Sequence, residues 1–185
     1  MKKRLFIAIN LPEDVKDKIE KAVEEIRYKF INDVRFLSRD NWHITITFLG
    51  DQDDKSLPAI IQSMKGATSG FQQPIIRFAD IDYGPKGKPP RMIWLNGAAE
   101  SAKDLDVLKR NLDDGLVENG VIFKKERRHF NIHITLARFS FSEDLPVIKS
   151  DFKTSFQAKS LDMMESRFLR SGAEYNLLQT MAFKL

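Results

Sequence analysis

Hydrophobic and polar positions change period several times along the chain, and each change marks an element. "KRLFIAIN", Lys3 to Asn10, is a short continuous apolar run of the kind a buried strand carries. In "NLPEDVKDKIEKAVEEIRYKF" the residues Val15, Ile19, Val23, Ile26 and Phe30 recur at helical spacing with charges between them. That predicts a helix opened by an Asn10–Glu13 capping box, with Pro12 in its first turn. "WHITITFLG", Trp42 to Gly50, reads as a strand that stops at its glycine. "DQDDKSLPAIIQSMKGA" reads as a second helix that buries Leu57, Ile60, Ile61 and Met64, its aspartates suiting the positive N-terminal end.

"PIIRFADIDYG" and "RMIWLNGA" read as two strands separated by the turn-rich loop "GPKGKPP", Gly84 to Pro90. "SAKDLDVLKRNLDDGLVENG" predicts a third helix: Ser101 as cap, Asp104 as the capping-box acid, Leu105, Leu108, Leu112 and Leu116 as the stripe, Gly120 as the stop. "HFNIHITLARFSF" is a further strand, and the tail, around "DFKTSFQAKSLDMMESRFL" and "AEYNLLQTMAFKL", alternates as strands do. Strands in runs with few helices favour an α+β fold over a doubly wound sheet. With no linker and no low-complexity segment, residues 1–185 read as one two-lobed domain.

Composition narrows this little. The chain has 185 residues, 42% hydrophobic and 30% charged, as in ordinary globular proteins. With no cysteine, disulfides and thiolate metal sites are excluded, and a reducing, cytoplasmic setting is expected. The apolar run near the N-terminus covers only Leu5 to Ile9, too short for a secretory core or a membrane span. A formal net charge of +4 suits an anionic partner such as RNA or a nucleotide phosphate, but many cytosolic proteins are as basic.

The candidate chemistry lies in two of the strands. "NWHITITFLG" sets His43 two positions before Thr45, and "NIHITLARF" sets His133 two positions before Thr135. Side chains alternate faces along a strand. Regular alternation puts His43, Thr45 and Thr47 on one face of the first strand and His133 and Thr135 on one face of the second. Imidazole exchanges a proton near neutral pH, and a threonine hydroxyl can hold an anionic oxygen in a fixed position. Two such couples suggest one general acid and one general base on opposite sides of a phosphorus atom, where entering and leaving oxygens lie in line. The sequence does not say which histidine takes which role. Arg138 is the nearby cation with a fork suited to phosphate, yet strict alternation points it away from His133.

One His-x-Thr is more often a strand with a polar face than a catalytic couple. A shuffled chain of this composition would hold two copies in roughly 1 case of 300, which favours the catalytic reading. His129 and His133 have a spacing that zinc can use, but without cysteine or an HExxH pattern no metal and no cofactor are expected. No phosphate-binding glycine loop is present. "FKKERRHF" holds Lys124, Lys125, Arg127 and Arg128 among aromatics, and the 84–90 region holds Lys86 and Lys88 with Arg91 beyond it. Each cluster is either a solvated turn or a set of RNA contacts beside the groove.

The paired "HITI" and "HITL" resemble the twin HxTx signature of the two-histidine phosphoesterases. Within them the chain resembles the RNA 2′,3′-cyclic phosphodiesterase (2′-5′ RNA ligase) family. The likeness runs through "RLFIAINLP", "WHITITFLG", "RMIWLN", "HITLAR" and "MESRFLRSGAEYNLL". It implies two antiparallel sheets with flanking helices, related by a pseudo-two-fold axis around a central cleft. It implies metal-independent hydrolysis of a 2′,3′-cyclic phosphate to a 2′-phosphate, with a possible reversible, ATP-independent 2′-5′ ligation. On the family pattern His43 is the proton donor, His133 the proton acceptor, Thr45 and Thr135 hold the phosphate, and Arg138 binds it. The expected partners are RNA ends or nucleotides with a cyclic phosphate, met by a monomer away from membranes. The alternatives are a module that grips RNA termini or nucleotides without turnover, and a related two-histidine enzyme with another cyclic phosphate as substrate.

Overall fold

A computed structural model describes residues 2–30, 34–126, 130–140, 144–148, 150–169 and 172–185. Among the described residues, nine strands form two antiparallel sheets and three helices cover them. In chain order the elements are β1 (Lys2–Asn10), α1 (Glu13–Arg27), β2 (Val34–Phe36), β3 (His43–Asp53), α2 (Leu57–Thr68), β4 (Ile75–Gly84), β5 (Met92–Gly97), α3 (Ala99–Glu118), β6 (His133–Phe139), β7 (Ser150–Gln157), β8 (Ser160–Leu169) and β9 (Gly172–Ala182). One sheet has the order β3-β1-β8-β9 and the other β2-β6-β5-β4-β7. β3 and β6 hold corresponding places, each next to a central strand, and they lie against one another.

One hydrophobic core runs through both halves. The stripe Val15, Ile19, Val23 and Ile26 of α1 is buried, as are Leu105, Leu108, Leu112 and Leu116 of α3. In α2, Ile60 and Met64 are buried while Leu57 and Ile61 pack at the edge. The strands contribute alternate residues, such as Leu5, Ile7 and Ile9 in β1 and Ile93 and Leu95 in β5. Their other faces carry the polar groups of both motifs.

Three local expectations are corrected. Asn10 does not cap α1: the helix begins after Pro12, and Asn10 closes β1 opposite His43. Ser101 does not cap α3, which starts after Ala98. Buried in the first turn, its hydroxyl accepts from the Arg77 amide at 2.8 Å and donates to the Ile75 carbonyl at 3.3 Å, tying α3 to β4. Gly50 does not end β3. It sits inside the strand at φ +70°, where Leu49 is an extra residue against β1, so the glycine serves a bulge rather than a turn. Gly120 ends α3 as expected, at φ +73°.

Candidate active site

Both motif strands contain a β-bulge at the fourth motif residue, and this bulge decides which side chains meet. In β3, Ile7 pairs with Thr47 and Ala8 with Thr45, leaving Ile46 unmatched. In β6, Ile93 pairs with Ala137 and Trp94 with Thr135, leaving Leu136 unmatched. An extra residue reverses the alternation beyond it. Thr47 therefore turns into the core, and Phe48 turns out beside His43 and Thr45, 60% exposed. In β6, Leu136 and Ala137 are both buried, and Arg138 comes round to the side of His133 and Thr135. The regular-alternation expectations for Thr47 and Arg138 are both overturned by this one irregularity.

The two histidines are held alike. His43 Nδ1 lies 2.8 Å from the Asn41 carbonyl, and His133 Nδ1 lies 2.9 Å from the Asn131 carbonyl. A carbonyl only accepts, so each Nδ1 carries hydrogen and each Nε2 is the acceptor nitrogen of the neutral ring. His43 Nε2 is 3.1 Å from Thr45 Oγ1, which donates to it when the ring is neutral. Each ring also rests on an aromatic side chain from the neighbouring central strand. Phe6 lies 4.8 Å from His43 and Trp94 lies 4.1 Å from His133, both tilted by 32°. Tyr175 stands edge-on to His43 at 5.1 Å, and the small cluster of Phe6, Ala8 and Met164 backs that side.

This apolar backing has an electrostatic result. Burial pushes the His43 imidazole down to about 4, against the pull of the Asn41 carbonyl, and positive charge on His133 adds to the depression. The two rings thus sense one another.

The anchoring is local. The single turn Arg39–Asn41 precedes β3, and the Arg39 guanidinium binds Glu13, Asp17 and Glu20 along one face of α1 at 2.8, 2.8 and 2.6 Å. Under the β3 bulge, Thr47 donates to Asp113 of α3 at 2.6 Å, and Lys109 reaches both, at 3.1 Å each. All three are buried. Arg35 of β2 is the direct partner of Arg138 and shares its side. Its guanidinium lies against Gly172 of β9, where a Cβ would meet it, and Asn41 donates to the Ala173 carbonyl at 3.0 Å. The β8–β9 hairpin is thereby fastened to the approach of the first motif.

The other sequence-predicted residues scatter. Lys86 forms an ion pair with Asp82, which is opposite Trp94 in the β4–β5 ladder. Lys88 and Arg91 are exposed near that end. Lys124 is exposed, while Lys125 is paired with Asp114 of α3 and so is drawn to the helices rather than to the motifs. Arg127, Arg128 and His129 lie outside the described residues. Among the described residues no group of three or more His, Cys, Asp or Glu side chains could hold a metal ion. Likewise no described helix is long and apolar enough to cross a membrane.

Sequence reading missed Phe48, Arg35, Trp94, Tyr175 and Asn96. One signal was available: both motifs read Asn-x-His-x-Thr, and the repeated asparagine supplies the carbonyl that orients each ring.

Comparison with known proteins points to one family and one fold. Residues 9–94 match the family described as LigT like Phosphoesterase. The RNA 2′,3′-cyclic phosphodiesterase of Methanocaldococcus jannaschii is 29% identical over 188 residues, covering 95% of this chain and 98% of the relative. The protein of that name from Bacillus subtilis is 26% identical, covering 88% and 84%. A crystal structure of E. coli LigT complexed with 3′-AMP superposes over 100% of both chains, with a TM-score of 0.78 and 26% identity. With both halves of the twin motif set in that fold, the chain carries a LigT-like phosphoesterase match over residues 9–94 and along its length resembles the two-histidine phosphoesterases.

Proposed function

We propose that the protein hydrolyses 2′,3′-cyclic phosphates on RNA ends or nucleotides, leaving a 2′-phosphate, without a metal. One observation carries the reading. Two Asn-x-His-x-Thr units on strands that lie against one another fix both imidazoles through Nδ1, and the charge of one ring bears on the other, which supports assigning both Nε2 atoms to one site. His133 takes a proton from water as it attacks phosphorus, and His43 gives a proton to the departing ribose O3′. Thr45, Thr135 and Arg138 hold the non-bridging oxygens, the arginine by its two-pronged fork. Phe48, at the place in β3 that Arg138 takes in β6, offers an exposed ring to a base. The exposed Lys86, Lys88, Arg91 and Lys124 are the cations this reading assigns to an RNA strand leaving the site. With a ribose 5′-hydroxyl in place of the attacking water, the same ring opening leaves a 2′-5′ phosphodiester and a free 3′-hydroxyl, which is the ATP-independent 2′-5′ ligation, and its reversal re-forms the cyclic phosphate and the 5′-hydroxyl.

His43 is neutral in the empty site, yet a proton donor must hold its proton. The incoming phosphate is an anion placed beside the ring, and it favours the imidazolium. Substrate binding and protonation of His43 are thus one event. Residues 1–185 act as one two-lobed domain, monomeric and cytoplasmic.

The test is turnover of adenosine 2′,3′-cyclic phosphate in excess EDTA, with the product identified. Release of adenosine 2′-phosphate at the metal-replete rate supports the reading. Tight binding with the ring left closed would make the protein a binding module, and activity lost to EDTA would reject the metal-free step.

A further inference from the structure

Each histidine has an asparagine as its cross-strand neighbour: Asn10 pairs with His43, and Asn96 pairs with His133. Both asparagines donate Nδ2 to a carboxylate, Asn10 to Asp162 at 2.8 Å and Asn96 to Asp80 at 2.6 Å. An ionised carboxylate only accepts, which fixes the orientation of each amide. In the sheets the asparagine's strand lies between the carboxylate's strand and the histidine's, in the orders β8-β1-β3 and β4-β5-β6. With each NH₂ held toward the carboxylate, the carboxamide oxygen is left on the histidine's side. The two carboxylates are not equivalent. Asp80 is directly opposite Asn96, whereas Asp162 is opposite Ala8. The same amide orientation is reached through two registers, which simple repetition of a sheet does not require.

An acceptor beside a catalytic imidazole has a use on one side of the reaction only. An attacking water has two hydrogens. The base takes one, and the other needs an acceptor if the lone pair is to face phosphorus. A ribose hydroxyl has a single hydrogen, so the leaving side has no such need. We propose that Asn96 is a catalytic residue that holds the attacking water together with His133, its Oδ1 accepting the hydrogen that His133 does not remove. Asp80 is a positioning residue acting through Asn96. The inference rests on the cyclic-phosphate reading and on His133 as base. In the step, the water oxygen bonds to phosphorus, one proton passes to His133 Nε2, and the other remains on the new phosphate hydroxyl. The P–O3′ bond breaks with its electrons on O3′, which takes the proton of His43.

Asn10 provides the control, being the matching residue on the leaving side. The experiment measures kcat, KM and melting temperature for Asn96→Ala, Asn10→Ala and Asp80→Asn on adenosine 2′,3′-cyclic phosphate. Asn96→Ala should lower kcat about tenfold or more at unchanged KM and melting temperature, the loss expected for one misplaced hydrogen bond at a reacting atom. Asn10→Ala should stay within about threefold of the parent, and Asp80→Asn, which frees the amide to turn, should fall between. Should Asn96→Ala fold poorly, the double variant Asp80→Ala with Asn96→Ala leaves neither group unpartnered and should show the same kcat loss. Equal losses at Asn10 and Asn96, or no loss at Asn96, would overturn the inference. A parent protein that leaves the ring closed would instead sink the functional reading on which it rests.

Discussion

The indole of Trp94 lies against the imidazole of His133, with ring centroids 4.1 Å apart. The other side of that contact is Gly84, where an added Cβ would collide with the Trp94 ring. The glycine is therefore needed for space. Gly84→Ala should push the indole into His133, costing about 1–3 kcal/mol of stability by overpacking. It should also lower kcat by about an order of magnitude through misplacement of the ring. Denaturant unfolding beside steady-state kinetics reads both, and an alanine variant with parent-like stability and kcat would refute the packing argument.

Proton uptake on binding should be measurable. His43 is held down to about 4 in the empty site. Near pH 6 it enters neutral and leaves the encounter charged. Calorimetric titration with adenosine 2′-phosphate in buffers of different ionisation enthalpy should report uptake approaching one proton, with affinity rising as pH falls toward 4. His43→Ala should abolish that uptake. No uptake by the parent protein would mean that His43 stays neutral, and the donor role would pass to His133.

The buried set of Thr47, Lys109 and Asp113 holds the bulge that turns Phe48 outward. Removing one partner strands the opposite charge. Asp113→Ala should cost about 3–5 kcal/mol, whereas replacing both charged partners, Lys109→Met with Asp113→Leu, should cost far less. Chemical denaturation midpoints of the three proteins decide the point, and equal losses in the single and double variants would contradict it.

Arg138 and Arg35 are cross-strand neighbours of the same charge, so an anion bound beside Arg138 gains from both guanidinium groups. Arg138→Ala should weaken binding of adenosine 2′-phosphate by about tenfold or more, and Arg138→Lys should recover only part, since an ammonium cannot offer the paired donors. Dissociation constants at fixed ionic strength test this, and full recovery by lysine would reduce the role to simple charge.

Much of this was legible in the sequence because strong periodicity survives folding. The stripe of α3 is buried as the spacing predicts, and so is that of α1 as far as Ile26, Phe30 lying beyond the helix and only partly buried; the His-x-Thr couples face one side because two residues return a strand to the same face. What was not legible depends on partners far away in the chain. Whether Asn10 caps a helix or ends a strand is settled by Asp162, and Ser101 is claimed by β4. The bulges were invisible because an extra residue in β3 or β6 is defined only against β1 or β5, and that shift decides the facing of Thr47, Phe48 and Arg138.

The central claim is that two oriented imidazoles serve one phosphorus atom. It is tested most directly by following adenosine 2′,3′-cyclic phosphate by phosphorus NMR with the parent protein, His43→Ala and His133→Ala, all in EDTA. The parent should open the ring to the 2′-phosphate alone, and each variant should fold normally and lose about 10² to 10⁴ of the rate. Parent-like turnover by either variant would contradict the account.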